Sequence, residues 1–166
     1  MDIRDIEKND TKKMYKEYDR WPEIAQNSFE SNQATVNFGN VKHIVFAGMG
    51  GSGSIGDIFS SILSKSTIHV NVVKGYLLPT TVNSETLVIV VSVSGNTEES
   101  LSIIKSAYKK KCKLVGFSSG GKLLEFCQKN KIEHRMITKY HSPRASFTSY
   151  LYTILKVLHS SLKINQ

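Results

Sequence analysis

Short apolar runs rich in β-branched residues recur along the chain and alternate with segments whose apolar positions follow helical spacing. The runs predict five strands, at residues 41–47, 68–73, 87–92, 114–117 and 134–137. Residues 88–91 are apolar at every position, which is typical of a strand that is covered on both faces, as in a parallel sheet. The segments between the runs predict helices near residues 54–64, 97–110, 123–130 and 145–162.

Within the second of these helices, Leu101, Ile104, Ala107 and Tyr108 recur at helical spacing and predict its buried face. Asn96, followed three residues later by Glu99, predicts a capped start for that helix. The last helix carries a longer apolar stripe, formed by Phe147, Leu151, Ile154, Leu155 and Leu158.

Strands that alternate with helices favour right-handed βαβ crossovers and an open, doubly wound sheet. We therefore predict the α/β class, as a three-layer α/β/α fold with a five-stranded parallel sheet in the flavodoxin-like order 2-1-3-4-5. Residues 1–38 differ, being charged with scattered aromatic residues, and predict one or two helices that lean on the sheet, with Pro22 in a first turn. Residues 39–166 then form the remainder of a single domain.

Composition indicates a globular protein rather than a disordered or membrane-spanning one. Of the 166 residues, 40% are hydrophobic and 22% charged, and no apolar run approaches the ~18–20 residues of a membrane span. The polar first residues do not resemble a signal peptide. Cys112 and Cys127 are fifteen positions apart without a metal-binding motif, so we expect two reduced thiols, no metal and a cytoplasmic location.

The net charge of +8 is concentrated in residues 105–139, where ten lysines and arginines face only Glu125 and Glu133. Such a segment is either a solvated basic face, an aid to binding a small anionic ligand, or a surface for nucleic acid. Because it has no interleaved aromatic residues and no nucleic-acid-binding motif, we expect no nucleic-acid partner.

The first candidate for chemistry is the glycine-rich loop at residues 48–54, directly after the first strand. Glycines allow close approach of the backbone to a ligand, and the helix that follows offers free N–H groups and partial positive charge, so the loop predicts an anion site. Gly48, Gly50 and Gly53 also fit a dinucleotide fingerprint, but the second strand ends without the acidic residue that binds the NAD ribose. Lys74 could meet the extra phosphate of NADP, which remains an alternative, whereas the missing lysine after Gly53 excludes a Walker loop.

The second candidate is the loop at residues 92–97, directly after the third strand, where three hydroxyls flank a glycine. Hydroxyls can donate to phosphate oxygens, although the same residue types also form ordinary capped turns. In the order 2-1-3-4-5 the first and third strands are neighbours, at the point where the strand order reverses, which is the usual ligand position in such sheets. Two anion-binding helix starts would then face one crevice, which favours a phosphate ligand.

Three motifs, at residues 48–53, 92–99 and 142–145, resemble those of the SIS (sugar isomerase) domain. More closely, Gly-Met-Gly-Gly-Ser-Gly, Ser-Val-Ser-Gly-Asn-Thr-Glu-Glu and Ser-Pro-Arg-Ala are similar to the N-terminal half of bifunctional phosphoglucose/phosphomannose isomerases. They occur in the same order and span nearly the whole chain.

The resemblance implies a role for each matching residue. Phosphate binding falls to Gly50, Ser52, Ser92, Ser94 and Thr97. Gly51 and Arg144 would lie by the reacting carbons, where a fixed guanidinium could stabilise the enediolate formed during aldose–ketose exchange.

The resemblance also implies groups that this sequence lacks. The family's enzymes take a glutamate base, a histidine for ring opening and a lysine from a second SIS domain, and proton transfer between adjacent carbons needs such a base. Within this sequence His141 is a candidate proton carrier, whereas Glu98 and Glu99 at a helix start fit a role in complementing the helix dipole. We expect a hexose phosphate ligand, no cofactor, and a homodimer or a second SIS-domain chain as partner.

Overall fold

The computed structural model describes residues 2–162 and contains one sheet of five parallel strands. The strands are β1 (His43–Ala47), β2 (His69–Val73), β3 (Leu87–Ser92), β4 (Lys113–Ser118) and β5 (Glu133–Met136). Their order in the sheet is β2-β1-β3-β4-β5, which confirms the predicted class and topology. The predicted boundaries of β3 are matched, and those of the other strands differ by one or two residues.

Seven α-helices accompany the sheet. They are α1 (Ile3–Asn9), α2 (Met14–Asp19), α3 (Trp21–Phe29), α4 (Gly51–Ile62), α5 (Glu98–Lys109), α6 (Gly121–Lys129) and α7 (Phe147–Leu162). A short 3-10 helix, Leu63–Lys65, extends α4. Among residues 2–162, no helix has the length and apolar character that a membrane crossing requires.

Two apolar layers sandwich the sheet and account for the three-layer architecture. Every residue of β3 is buried, with Ile89 in the layer under α4 and α7, and Val88 and Val90 in the layer under α5 and α6. The continuous apolar run of β3 thus reflects burial on both faces, as predicted. The sheet is therefore a rigid base from which the loops at its carboxyl edge project.

The start of α5 differs from the prediction. The N-cap is Thr97 rather than Asn96, and no side-chain capping bond is present at this position. The Asn96 side chain instead accepts a hydrogen bond from the Lys122 amide at 3.1 Å, which fastens the turn to the next helix. The predicted capping box is therefore wrong, because a contact between two loops uses the oxygen that a local cap would need.

The buried faces of α5 and α7 differ in part from the predicted stripes. Tyr108 is 44% exposed, although Leu101, Ile104 and Ala107 are buried as predicted. On α7 the fully buried residues are Tyr150, Ile154, Val157 and Leu158, whereas Phe147, Leu151 and Leu155 are only partly buried. Tyr150 was not included in the predicted stripe because its polar hydroxyl breaks the apolar pattern of the sequence.

The N-terminal region contains three short helices, more than the one or two predicted. Lys13 takes a left-handed conformation (φ 55°) between α1 and α2, and Arg20 separates α2 from α3, whose first turn holds Pro22 as expected. The Trp21 indole donates to the Ala145 carbonyl at 3.0 Å, so α3 is fastened to the segment before α7. This region therefore supports the 140–146 segment from outside the sheet.

Candidate functional site

The loops that follow β1 and β3 leave the sheet at the same edge. These strands are direct neighbours, with Ala47 opposite Val90, and both run in the same direction. Gly48 begins the first loop one residue after Ala47, and Ser92 ends β3 two residues after Val90. The structure therefore places residues 48–54 and 92–97 side by side at the carboxyl edge of the sheet.

In the first loop, some glycines allow the backbone to pack closely, and others leave the backbone exposed to solvent. A Cβ on Gly53 would lie 2.7 Å from the Gly48 carbonyl oxygen, so the helix start can sit against the strand end only with glycine there. Gly50, which has a positive φ of 54°, and Gly51 are exposed, and a Cβ on either would meet no atom within 4 Å. Ser52 is half-buried beside this open backbone.

Lys74, at the end of β2, forms an ion pair with Asp57 of α4 at 2.7 Å. Both side chains are about half exposed, so the pair adds little stability. The lysine that could meet an NADP phosphate is thus already engaged by a carboxylate within its own domain.

In the second loop, the Ser92 side chain is buried in the domain and the Ser94 side chain is exposed to solvent. Ser92 is 2% exposed, and its Oγ lies 3.0 Å from Thr97 Oγ1. Ser94 is exposed, and its Oγ accepts a hydrogen bond from the Asn96 amide at 3.2 Å. The Ser94 side chain is thus open to solvent, whereas the Ser92 hydroxyl is buried and hydrogen-bonded to Thr97 at the start of α5.

A third loop, between β4 and α6, packs tightly against the second. Gly95 has φ 69°, and a Cβ added to it would lie 1.8 Å from the Gly120 carbonyl oxygen. The Gly95 carbonyl accepts a hydrogen bond from the Leu123 amide at 2.9 Å. The sequence carried a signal for this loop, because Ser118, Ser119 and two glycines follow a predicted strand as in the first two loops.

His134 of β5 is connected to this third loop through the side chain of Ser118. Its Nε2 lies 2.8 Å from Ser118 Oγ, which also donates to the Gly120 carbonyl at 2.8 Å. Burial, with a smaller effect of the neighbouring Arg135 charge, lowers the pKa of His134 to about 4. His134 is therefore neutral near pH 7 and acts as a structural hydrogen-bonding group, a role that no motif in the sequence indicated.

The segment that carries His141 and Arg144 reaches the same edge through α7. The Tyr150 hydroxyl, in the first turn of α7, donates to the Val93 carbonyl of the second loop at 3.2 Å. Arg144 lies three residues before α7, in a turn where Ser142 Oγ accepts a hydrogen bond from the Ala145 amide at 3.2 Å. Both His141 and Arg144 are exposed.

His141 lies near the N-terminal helices. Hydrogen bonds from the Tyr15 and Met14 amides lower the pKa of the Asp10 carboxyl, and the nearby charge of His141 contributes further. His141 thus lies close enough to Asp10 of the N-terminal region for their charges to interact.

A cavity of about 650 Å³ lies at the opposite edge of the sheet. Its walls include Tyr108, Cys112, Leu114 and Ile132, near the starts of β4 and β5. The C-terminal ends of α5 and α6 meet there, and helix ends of this kind present free carbonyls and partial negative charge. Lys109, Lys111 and Lys131 of the basic segment also line this cavity, together with Glu133, so its walls carry positive charge as well. It nevertheless lies at the edge of the sheet opposite the two predicted loops.

Comparison with known proteins identifies the family. Residues 38–162 match the SIS domain, which is about three quarters of the chain. This chain belongs to the SIS domain family. The family assignment that the three motifs indicated is thereby confirmed.

Curated relatives of this SIS domain include several named bifunctional phosphoglucose/phosphomannose isomerase. The chain is 37% identical over 129 residues to that of Caldicellulosiruptor bescii, covering 75% of this chain and 38% of the relative. It is 37% identical over 134 residues to that of Aquifex aeolicus, covering 80% of this chain and 42% of the relative. The chain therefore spans less than half the length of these relatives.

Solved structures share the fold at low sequence identity. The C-terminal domain of glucosamine-fructose-6-phosphate aminotransferase from Francisella tularensis matches with a TM-score of 0.71 at 18% identity, covering 91% of this chain and 48% of that one. A protein of Escherichia coli CFT073, solved as a complex with a ligand, matches with a TM-score of 0.64 at 20% identity, covering 100% of this chain and 96% of that one. These matches support the three-layer α/β/α architecture.

Proposed function

We propose that this SIS domain binds a hexose phosphate, such as glucose 6-phosphate or fructose 6-phosphate, between the loops at residues 48–54 and 92–97. The observation that carries the proposal is the position of these loops on adjacent parallel strands, at one edge of the sheet. Each loop leads into the N-terminus of a 12-residue helix, where free N–H groups and the helix dipole favour a phosphate. The curated isomerase relatives support a phosphorylated hexose as the ligand class.

In the proposed complex, the phosphate lies between Ser52 and Ser94, with Gly50 giving the backbone close access. Thr97 adds a hydroxyl at the start of α5, and the buried Ser92 orients it through the 3.0 Å hydrogen bond between the two side chains. Neutral hydroxyl and amide donors suit a phosphate because they supply several hydrogen bonds without placing a fixed cation beside each oxygen.

The chemistry proposed for the site is aldose–ketose isomerisation through an enediolate. Arg144 would stabilise the developing oxyanion, with Gly51 beside the reacting carbons. His141 is the candidate within this chain for moving a proton, and the base itself would come from a partner. The alternative is a non-catalytic phosphosugar-binding or regulatory module.

The partner proposed for the site is a second copy of this chain or a separate SIS-domain chain. Exposed apolar side chains on the loops after β1 and β2 support this part of the proposal. Met49 is 37%, Tyr76 55% and Leu77 84% exposed, all at the carboxyl edge that carries the candidate site. Apolar side chains grouped at one edge favour an interface there.

Binding and turnover are separable in one set of experiments. Calorimetric titration with fructose 6-phosphate should show binding, and Ser94→Ala should weaken it about 10-fold or more, since hydrogen bonds to charged groups contribute ~1.5–3 kcal/mol. Ser160→Ala, at an exposed position on α7, is the matched control. Binding that Ser94→Ala leaves unchanged, or no binding at all, would contradict the proposed site.

Turnover decides between the enzyme and the binding module. Conversion of fructose 6-phosphate to glucose 6-phosphate, abolished by Arg144→Ala but not by Arg4→Ala, would support an isomerase, with Arg4 as an exposed control. Binding without turnover, in the protein alone, would support the non-catalytic module. A melting shift with NADP and none with fructose 6-phosphate would instead favour the dinucleotide alternative.

A further inference from the structure

The carbonyl of Val93, in the middle of the second loop, is held by an unusual number of donors. It accepts hydrogen bonds from the Ser119 amide at 3.1 Å, from the Ser119 hydroxyl at 2.6 Å and from the Tyr150 hydroxyl at 3.2 Å. A carbonyl oxygen has two lone pairs, so three donors occupy its whole hydrogen-bonding capacity. The direction of this carbonyl is thus fixed from two separate elements, the β4–α6 loop and α7.

Fixing that carbonyl also fixes the amide that follows it. The peptide unit is planar and trans, so the Ser94 N–H points opposite to the Val93 carbonyl. Ser119 and Tyr150 lie on the carbonyl side, and the Ser94 N–H therefore points away from them. Ser94 itself is exposed.

Within the described residues, the Ser94 amide differs from the two amides that follow it because it has no hydrogen-bond acceptor. The Gly95 amide donates to the Ser92 carbonyl at 3.1 Å, and the Asn96 amide donates to Ser94 Oγ at 3.2 Å. Across residues 2–162, the Ser94 amide has no such acceptor. One free, directed donor thus remains at the centre of the loop.

We propose that Ser119 and Tyr150 are positioning residues, which hold the Val93–Ser94 peptide so that the Ser94 N–H donates to the ligand's phosphate. The inference rests on the proposed function, and it adds two residues that lie outside every motif of the sequence. Neither residue needs to touch the ligand. They set the direction of a donor before the phosphate arrives, so binding does not require the loop to reorganise.

The environment of Tyr150 fits this role. The residue is fully buried in the layer beneath α7, where a phenylalanine would fill the same space without a polar group. Burial raises the pKa of its phenol, which remains a neutral donor throughout the physiological range. The phenol hydroxyl donates to the Val93 carbonyl and also lies beside the Ser119 side chain, so its polar atom is satisfied within this cluster.

The test uses the double variant Tyr150→Phe with Ser119→Ala in the full chain. The controls are Tyr152→Phe, on the same helix, and Ser100→Ala, a buried serine whose hydroxyl has no hydrogen-bond partner within residues 2–162. Calorimetric titration with inorganic phosphate and with glucose 6-phosphate should show affinity reduced by about tenfold in the double variant and unchanged in the controls. Urea unfolding, measured alongside, identifies the conditions in which every variant is folded.

The NMR signal of the Ser94 amide distinguishes an effect on the orientation of this peptide from an effect on the stability of the whole domain. In amide NMR spectra, phosphate should shift the Ser94 signal downfield in the unmodified protein, and this shift should shrink in the folded double variant. An unchanged affinity with an unchanged Ser94 response would overturn the positioning role and leave the proposed function intact. No response to either ligand in the unmodified protein would overturn the proposed function itself.

Discussion

Replacing Gly95 by alanine tests how tightly the second loop is packed against the loop after β4. Gly95 has φ 69°, a conformation that costs an L-residue roughly 1–2 kcal/mol. The added Cβ would also lie 1.8 Å from the Gly120 carbonyl oxygen, far inside contact distance, and the obstacle is backbone rather than a flexible side chain. One of the two loops must therefore move.

The matched control is Gly39→Ala. Gly39 has nearly the same φ, 72°, but a Cβ there would meet no atom within 4 Å, so this variant carries the conformational cost alone. Overpacking of a tight contact typically adds about 1–3 kcal/mol, so we expect Gly95→Ala to lose ~2–5 kcal/mol of unfolding free energy and Gly39→Ala ~1–2 kcal/mol.

Urea unfolding followed by circular dichroism measures both values. The two variants should differ by the overpacking cost of about 1–3 kcal/mol, so with an m-value of ~1–3 kcal/mol/M the midpoint of Gly95→Ala should fall roughly 0.3–3 M below that of Gly39→Ala. Calorimetric titration of the folded fraction should show weaker binding of fructose 6-phosphate in Gly95→Ala only. Equal midpoints for the two variants would refute the claim that the second and third loops are in close backbone contact.

Three further predictions concern groups outside the loops. The pKa of His134 is lowered to about 4 in the folded state from about 6.5 when unfolded, so the unfolded state binds more protons between these values and stability should fall as pH drops from 6.5 to 4. When the urea midpoint is plotted against pH, His134→Gln should reduce the slope between pH 4 and pH 6.5, and an unchanged slope would refute this role of His134. Burial raises the pKa of the Cys127 thiol to about 12, so Ellman's reagent should label the half-buried Cys112 first, and equal rates in native protein would contradict this. Leu123→Ala, in the core, should cost about 2–5 kcal/mol in urea unfolding, whereas Leu77→Ala, 84% exposed, should cost less than ~0.5; similar losses would show that the burial described is wrong.

The sheet could be predicted from the sequence because its signals are local. The strands are short apolar runs separated by amphipathic segments, and the boundaries of β3 were predicted without error. The N-terminal region offered no such periodicity. Its helices contain six to nine residues each, and α1 and α2 contain no buried residue, so neither length nor pattern could reveal their number.

The first two loops of the candidate site could be predicted for the same reason. Their glycines and hydroxyls follow directly after apolar runs, and a parallel sheet brings the ends of neighbouring strands together. The roles assigned to their residues, and to Arg144 and His141, stay predictions. The cap at Asn96 was predicted wrongly because the competing partner, the Lys122 amide, lies 26 positions away.

The sequence could not reveal the contacts that Ser119 and Tyr150 make with the Val93 carbonyl, because these residues are far from Val93 along the chain. Tyr150 lies 57 positions from Val93, and Ser119 lies 26 positions from it, so no window of sequence contains either pair. A serine or tyrosine gains this role only when the fold brings its hydroxyl to a particular carbonyl. Motifs thus select the residues that would touch a phosphate, while the direction of the Ser94 amide depends on residues that carry no motif. Substitutions at Ser119 and Tyr150 should accordingly alter ligand affinity in this chain even when all three family motifs are intact.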